Sequence, residues 1–175
     1  MYCDYPIEQL ARSAKSRFQI GFARMTMRLL PQFDDVVLEP TVQGLKILGA
    51  NELALATPGE VIRQIHKDDV ELQEPRVRLR YDTTVQEPVM WVRAAMPCRY
   101  AEPAVQDLAA RGSAIEEVDW MLSHPVVRAK APLRLLLGYP QALATLSRNT
   151  AELQMWLSHY ARVPPVPPVS GGDAA

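Results

Sequence analysis

Glu87-Pro88-Val89-Met90-Trp91-Val92-Arg93-Ala94-Ala95 is the stretch of this sequence that decides the fold. Its β-branched and aromatic residues favour a strand over residues 88–95. Side chains alternate between the two faces of a strand, so the stretch sorts into two sets. One face receives Met90, Val92 and Ala94, and the other receives Val89, Trp91 and Arg93. The first face is suited to a buried core, whereas the second combines an aromatic ring with a cation.

The elements after this strand follow a regular order. One helix is predicted from Pro103 to Arg111, closed by Gly112, and a second helix over residues 133–146, with a bend or restart at Pro140. Further strands are predicted over residues 115–121, 126–131 and 151–160. The order β-α-β-β-α-β is the split βαβ, or ferredoxin-like, pattern, in which both helices pack on one face of the sheet. The other face is expected to be open.

The first half of the chain predicts a less complete version of this α+β fold. Residues 10–30 carry an apolar stripe at steps of three and four, which predicts one helix that stops at Pro31. Extended segments follow at residues 36–41, 44–48, 70–73 and 76–81. Only residues 2–7 leave room for a short strand before the first helix.

The second helix of this half is placed by a local capping pattern. In Thr57-Pro58-Gly59-Glu60, Thr can cap, Pro suits the first helical position and Glu can reach back to the cap. A helix is therefore expected from Pro58 to about His66, with residues 52–57 extended. The predicted order is α-β-β-α-β, an incomplete or divergent module.

Composition bounds the class of protein. The 175 residues suffice for one domain or two small ones, with 48% hydrophobic and 22% charged residues. A net charge of -1 argues against a large basic footprint for nucleic acid. Cys3 and Cys98 and three scattered histidines do not have the spacing of a metal cluster or a disulfide framework. The first residues lack the features of a secretory signal, and no apolar run approaches the ~20 residues that span a membrane. A cytoplasmic protein is expected.

An ordered set of motifs in the second half points to one family. Glu87-Pro88-Val89-Met90, Asp107–Gly112, Ala129–Leu133 and Gly138-Tyr139 follow one another along the chain. They resemble the last domain of the elongation factor G family of translational GTPases, which has Glu-Pro-Ile-Met, Asp-Leu-x-x-Arg-Arg-Gly, Ala-x-Val-Pro-Leu and Gly-Tyr in that order. Three family residues at the end of the last helix, Arg, Gly and Arg, are replaced here by Ala144, Asn149 and Thr150. A role of those positions in RNA contact is weakened accordingly.

The first half is similar to the third domain of the same family. Gly49–Leu55 resembles Gly-Met-Gly-Glu-Leu-His-Leu, and Glu74-Pro75-Arg76-Val77 resembles the strand that closes that domain. The family runs an unbroken helix where Pro58-Gly59 stand here, and its first strand is expected to be absent or reduced. The resemblance divides the chain into a third-domain-like module, residues 1–83, and a C-terminal-domain-like module, residues 84–162. Counterparts of the GTPase, second and fourth domains are not found.

Residues 163–175 are expected to form a disordered, Pro-rich tail, in which a Pro-binding partner is the alternative to a plain solvated terminus. No phosphate-binding loop is present in these 175 residues. The nearest spacing, Gly44 to Gly49, is followed by Ala50-Asn51 where Lys-Ser or Lys-Thr is required.

The family's third and last domains contact the ribosome between its subunits, so the resemblance implies binding of the same region. The expected function is that of a non-catalytic, ribosome-associated protein that does not hydrolyse GTP. Its expected partners are the ribosome, both rRNA and ribosomal proteins, or a protein that carries the GTPase domain. No cofactor, metal, membrane or small-molecule substrate is expected. The alternatives are a repurposed protein–protein module and a remnant or half of a split elongation factor.

Two surfaces of the second half are candidates for this contact. The open sheet face gathers Trp91, Arg93, Arg128, Lys130 and Trp156, and aromatic rings with cations on an open sheet bind single-stranded RNA. The alternative is that both tryptophans pack against the first half. The second surface is the acid-free segment between Trp120 and Ala151, with Arg128, Lys130, Arg134 and Arg148, joined by Arg99 and Arg111. These cations suit phosphate contacts, unless Glu116, Glu117 and Asp119 balance them on a solvated surface.

Catalysis finds no support in the sequence. His124 and Cys98 have no neighbour in sequence that would activate them. Paired acids such as Glu116-Glu117 are expected to point to opposite faces of a strand. An enzyme is therefore not expected.

Overall fold

The computed structural model describes residues 5–121 and 123–164, which form two α+β modules. The first module contains seven strands and helices before a short connection to the second. They are β1 (Ile7–Ser13), α1 (Gln19–Leu29), β2 (Val36–Thr41), β3 (Gly44–Gly49), α2 (Glu52–His66), β4 (Val70–Leu72) and β5 (Arg76–Val77). Its antiparallel sheet has the order β2-β3-β1-β4, and β5 also pairs with β1. The first module therefore contains the complete β-α-β-β-α-β order of the split βαβ pattern.

The second module repeats the same topology with longer strands. Its elements are β6 (Arg80–Tyr81), β7 (Val85–Ala95), α3 (Cys98–Ala110), β8 (Ala114–Asp119), β9 (Val126–Pro132), α4 (Leu133–Leu136), α5 (Tyr139–Ser147) and β10 (Glu152–Arg162). The sheet order is β10-β7-β9-β8, with β6 paired to the start of β7. The prediction of two ferredoxin-like modules is confirmed. Residues 165–175 of the predicted tail lie outside the described residues.

The prediction of one helix over residues 10–30 is wrong in its first third. Residues 7–13 form β1, which pairs with β3 on one side and with β4 on the other. Ile7 and Ala11 are fully buried, and their spacing of four fits a strand as well as a helix. The Gln19 side chain accepts a hydrogen bond from the Ser13 N–H and donates to the carbonyl oxygens of Ser13 and Ser16. These bonds fix the connection after β1, and α1 begins only at Gln19. The first strand of the module is therefore present, contrary to expectation.

The predicted start of the second helix is also wrong. Helix α2 begins at Glu52, not at Pro58, because Asn51 caps it by accepting a hydrogen bond from the Ala54 N–H (3.1 Å). Leu55 and Ile62 lie buried on the same face, so the apolar period continues across Pro58. Residues 52–57 are helical rather than extended. Helix α3 shows the same effect, since it begins at Cys98 and contains Pro103 in its interior.

The two modules are joined by side chains as well as by the chain. Asn51 Nδ2 donates to the carbonyl oxygen of Met155 on the outer edge of β10 (2.8 Å). The adjacent Glu52 accepts a hydrogen bond from the Gly138 N–H (2.8 Å). Burial raises the pKa of Glu52, while the Gly138 N–H and the charge of Arg111 oppose that shift. The beginning of α2 therefore provides two of the contacts that hold the second module.

Helix α1 is attached to the end of α2 by a titratable contact. His66 Nε2 and the buried Thr26 Oγ1 form a hydrogen bond of 2.8 Å, and the His66 ring lies 4.9 Å from that of Phe22 between centroids. Burial lowers the pKa of His66 below its ordinary value of 6.5, and Asp69 opposes this only partly. The unfolded chain then binds a proton at a higher pH than the folded chain does. Stability is therefore lost as the pH falls through 6.5 towards the lowered value.

We expect His66→Gln to reduce this acid sensitivity. The measurement is the urea midpoint of unfolding at several pH values between 7.5 and 5, compared between the wild type and the variant. The exposed His159 provides a matched control, since His159→Gln leaves the His66 contact in place. An equal loss of midpoint in the wild type and His66→Gln over this range would contradict the assignment.

Candidate functional site

The sheet of the second module has one covered face and one open face. Met90, Val92 and Ala94 of β7 are fully buried on the covered face, as are Val127 and Ala129 of β9. Buried residues of α3 and α5, among them Leu108 and Leu143, belong to the same core. The predicted alternation is confirmed, and the other face carries the side chains that the core does not use.

A row of aromatic and cationic side chains crosses the centre of the open face. Trp156 of β10 stands opposite Trp91 of β7, which stands opposite Lys130 of β9. The tryptophan rings stack with centroids 6.2 Å apart and an angle of 22° between their planes. The Lys130 ammonium lies 4.1 Å from the Trp91 ring centroid, a cation–π contact. Trp156 remains 45% exposed, so the first half does not cover this side chain completely.

The next row along the strands carries the arginines. Gln154, Arg93, Arg128 and Glu117 are aligned across β10, β7, β9 and β8. Arg128 is paired with Glu117 at 2.7 Å, and Lys130 of the neighbouring row with Glu116 at 3.4 Å. Arg93 makes no hydrogen bond or ion pair with the residues that the structure describes.

A β-bulge explains how two adjacent acids reach the same face. The register between β8 and β9 shifts between Ile115 and Glu117, which inserts an extra residue into β8. Glu116 and Glu117 therefore both pair with cations of the open face, whereas the alternation rule predicts opposite faces. This expectation is wrong, and the two carboxylates neutralise much of the charge of Arg128 and Lys130.

The second predicted surface is not one patch. Arg111 binds Asp107 (2.9 Å) and lies over the ring of Tyr139, at 5.4 Å from its centroid. Arg134 binds Glu87 (2.7 Å), whose side chain is 2% exposed. Both arginines hold parts of the module together.

The remaining two arginines of that surface lie on helices. Arg99 in the first turn of α3 lies over the ring of Tyr100. Arg148 ends α5 with a left-handed backbone (φ 54). The structure thus brings together only the open-face set, Trp91, Arg93, Arg128, Lys130 and Trp156.

Among residues 5–121 and 123–164, His, Cys, Asp and Glu side chains do not form a group of three that would hold a metal. Cys98 is an exposed free thiol, and His124 Nδ1 lies 3.4 Å from the Ser123 hydroxyl oxygen. Over the same part of the chain, no helix combines the length and the apolar character needed to cross a membrane. A cavity of about 350 Å³ between α2 and α5 has mainly apolar walls.

The fold and the open face define a protein built from two split-βαβ modules. Residues 84–169 match the family described as "Elongation factor G C-terminus". The chain therefore carries an elongation factor G C-terminal-like domain, as its motifs predict, and that domain is not itself catalytic.

A solved structure shows the same fold over both modules. A crystal structure of a protein from Thermus thermophilus matches 94% of this chain with a TM-score of 0.67 and 17% sequence identity. This chain spans 42% of the length of that protein. The family match begins at residue 84, and β6, which precedes that residue, pairs with β7.

Proposed function

We propose that this protein is a cytoplasmic, translation-factor-related protein that associates with the ribosome and does not itself hydrolyse GTP. The observation that carries the proposal is the elongation factor G C-terminal-like domain over residues 84–169. The absence of a phosphate-binding loop from the 175 residues supports the proposal that the protein does not itself hydrolyse GTP. The candidate contact surface is the open-face set, in which Arg93 has no ion pair or hydrogen bond with the described residues and Trp156 is exposed.

A protein–protein module is the second candidate function. The observation that favours it is the pairing of cations with acids on the same face, namely Arg128 with Glu117 and Lys130 with Glu116. Such pairs reduce the positive potential that RNA phosphates require. A partner that supplies the GTPase domain fits this alternative, and a pull-down that returns one such protein without ribosomal components would favour it.

We expect the wild-type protein to sediment with 70S ribosomes or their subunits in sucrose gradients at low salt, and to dissociate as salt is raised. The double variant Arg93→Gln/Lys130→Gln is expected to bind less, because two cations of the open face are lost. Lys15→Gln is the matched control, since Lys15 is an exposed cation of the first module that is paired with Asp69.

Two outcomes would contradict the proposal. The first is the absence of the wild-type protein from the ribosomal fractions at low salt. The second is an equal loss of binding in Lys15→Gln and in the open-face double variant, which would indicate charge alone rather than this surface.

A further inference from the structure

Two side chains of the open face are left unused by the fold. The Trp156 ring stacks against Trp91, and Trp156 as a whole is 45% exposed. Arg93 has neither a carboxylate nor a hydrogen-bond partner among the described residues. The other members of the face already have partners, since Lys130 contacts both Trp91 and Glu116 and Arg128 binds Glu117.

The strand register places these two side chains next to each other. Trp156 is directly opposite Trp91, and Arg93 lies two residues further along β7, level with Gln154. Arg93 and Trp156 are therefore diagonal neighbours on one face, with Cα atoms roughly 7–8 Å apart. An arginine side chain reaches over such a distance, so a ligand that lies on Trp156 also meets the guanidinium group of Arg93.

We propose that Trp156 and Arg93 form a subsite for one unpaired nucleotide of a single-stranded RNA. The base stacks on the exposed part of the Trp156 ring, and its phosphate pairs with the Arg93 guanidinium. Trp91 stacks against Trp156 from the neighbouring strand β7 and so fixes the orientation of the Trp156 ring. This proposal rests on the proposed function and deepens it, because it names unpaired RNA as the chemistry that the face recognises.

The shape of the surface favours a single strand over a duplex. Bases that are splayed out of a helix can stack on aromatic rings, whereas duplex bases have no free face. Stacking on a sheet is tolerant of sequence because every base has a π face. Within residues 5–121 and 123–164, the helices α3 and α5 pack into the core on the opposite side of the sheet, so the open face presents strands rather than a helix that could enter a groove.

The acids of β8 limit the subsite to one side of the sheet. Glu116 and Glu117 already form ion pairs with Lys130 and Arg128, so a phosphate would gain little binding energy from these two cations on the β9 and β8 side. The unpaired cation and the exposed ring both lie on the β7 and β10 side. A short contact of about one nucleotide follows, rather than a continuous track across the four strands.

The test uses the full chain and a fluorescein-labelled oligouridylate of twelve nucleotides, with binding followed by anisotropy. Trp156→Ala is expected to weaken binding by about tenfold or more, because one base loses its stacking partner. Trp156→Phe keeps a ring and is expected to retain most of the affinity. Trp120→Ala is the matched control, since Trp120 is also exposed, at 51%, but lies outside the open-face set.

The phosphate half of the subsite has its own readout. Arg93→Gln is expected to weaken binding and to reduce the slope of log K against log salt concentration by about 0.7, the value for one phosphate contact on a single strand. Glu117→Gln is expected to strengthen binding, because it releases Arg128 for a second phosphate. Arg93 has no ion pair or hydrogen bond with the described residues, so little change in stability is expected from this variant.

Distinct outcomes separate the subsite from the proposed function. Equal effects of Trp156→Ala and Trp120→Ala, or an unchanged salt slope in Arg93→Gln, would overturn the subsite and leave the tryptophans as a stabilising cross-strand pair. Sedimentation with ribosomes that Trp156→Ala and Arg93→Gln both leave intact would overturn it as well, while ribosome association stands. Binding of the oligonucleotide that depends on both residues, without ribosome association, would support the subsite and contradict the proposed function.

Discussion

Replacement of Arg134 by alanine is expected to lower the free energy of unfolding by about 2–3 kcal/mol. Arg134 Nε lies 2.7 Å from Glu87 Oε2, and the Glu87 side chain is only 2% exposed. Removal of the arginine leaves a buried carboxylate without its ion pair, which typically costs about 3–5 kcal/mol. The lower figure applies because the Arg134 side chain is 47% exposed and water can replace part of the contact. Urea unfolding of both proteins measures the difference.

The same type of pair on the open face is the matched control. Arg128 lies 2.7 Å from Glu117, but the Glu117 side chain is 59% exposed. Arg128→Ala is therefore expected to cost less than about 1 kcal/mol, as is usual for surface ion pairs. Equal costs of Arg128→Ala and Arg134→Ala would show that burial of Glu87 does not decide the energy of its pair.

Burial also separates the candidate RNA contacts into two groups. Arg134 and Arg111 are held by Glu87 and Asp107, so their loss disturbs the module before it disturbs binding. Arg93 has no such partner among the described residues, so its replacement tests binding with little expected effect on the module. A binding experiment on the predicted arginines is therefore interpretable at Arg93 and requires a stability control at Arg134.

The second module was largely predictable because its two central strands alternate between buried and less buried residues over residues 90–94 and 127–131. In β7 and β9, apolar residues at every second position face the core, and Trp91, Arg93, Arg128 and Lys130 therefore face away from it. This is a local property of the sequence that holds whatever the neighbouring strands do. The β8 bulge was not predictable in this way, since one extra residue shifts Glu116 and Glu117 onto the same face without a change in composition.

Two helix starts were placed too late for one physical reason. Pro58 and Pro103 suit the first turn of a helix, but both lie inside one here. Proline in the interior removes one backbone hydrogen bond, and buried residues on both sides of it, such as Leu55 and Ile62, outweigh that loss. The family resemblance, which runs an unbroken helix through Pro58, was the better guide there.

The hydrogen bonds and ion pairs that particular side chains make with distant parts of the chain were not predictable. Glu87 and Arg134 are 47 residues apart, and Asn51 and Met155 are 104 apart. Composition and periodicity describe neighbours within one helix or strand. They do not predict that a helix-capping residue such as Asn51 will bind the edge of a particular strand. The junction of the modules at Asn51 and Glu52 therefore emerges only from the structure.

Replacement of Gly44 by alanine is expected to be the most damaging small change in the first module, with a loss of about 3–5 kcal/mol. Gly44 begins β3 with a φ of +143°, a backbone conformation that residues other than glycine rarely adopt. An added Cβ would also overlap the carbonyl oxygen of Ala11 and lie 3.2 Å from the Ala11 carbonyl carbon. Ala11 is fully buried in β1, which pairs with both β3 and β4, so its backbone cannot move without loss of ladder hydrogen bonds. Circular dichroism during urea unfolding measures the loss.

Gly138 separates the effect of the backbone conformation from that of the collision. Gly138 also has a positive φ, +74°, but an added Cβ would meet no atom within 4 Å. Gly138→Ala keeps the N–H that binds Glu52, so only the strain of the left-handed conformation remains, about 1–2 kcal/mol. The collision with Ala11 accounts for the difference between the two variants. If Gly44→Ala and Gly138→Ala lower the urea midpoint by the same amount, β1 yields to the added methyl group and its backbone is not the rigid centre of the first sheet.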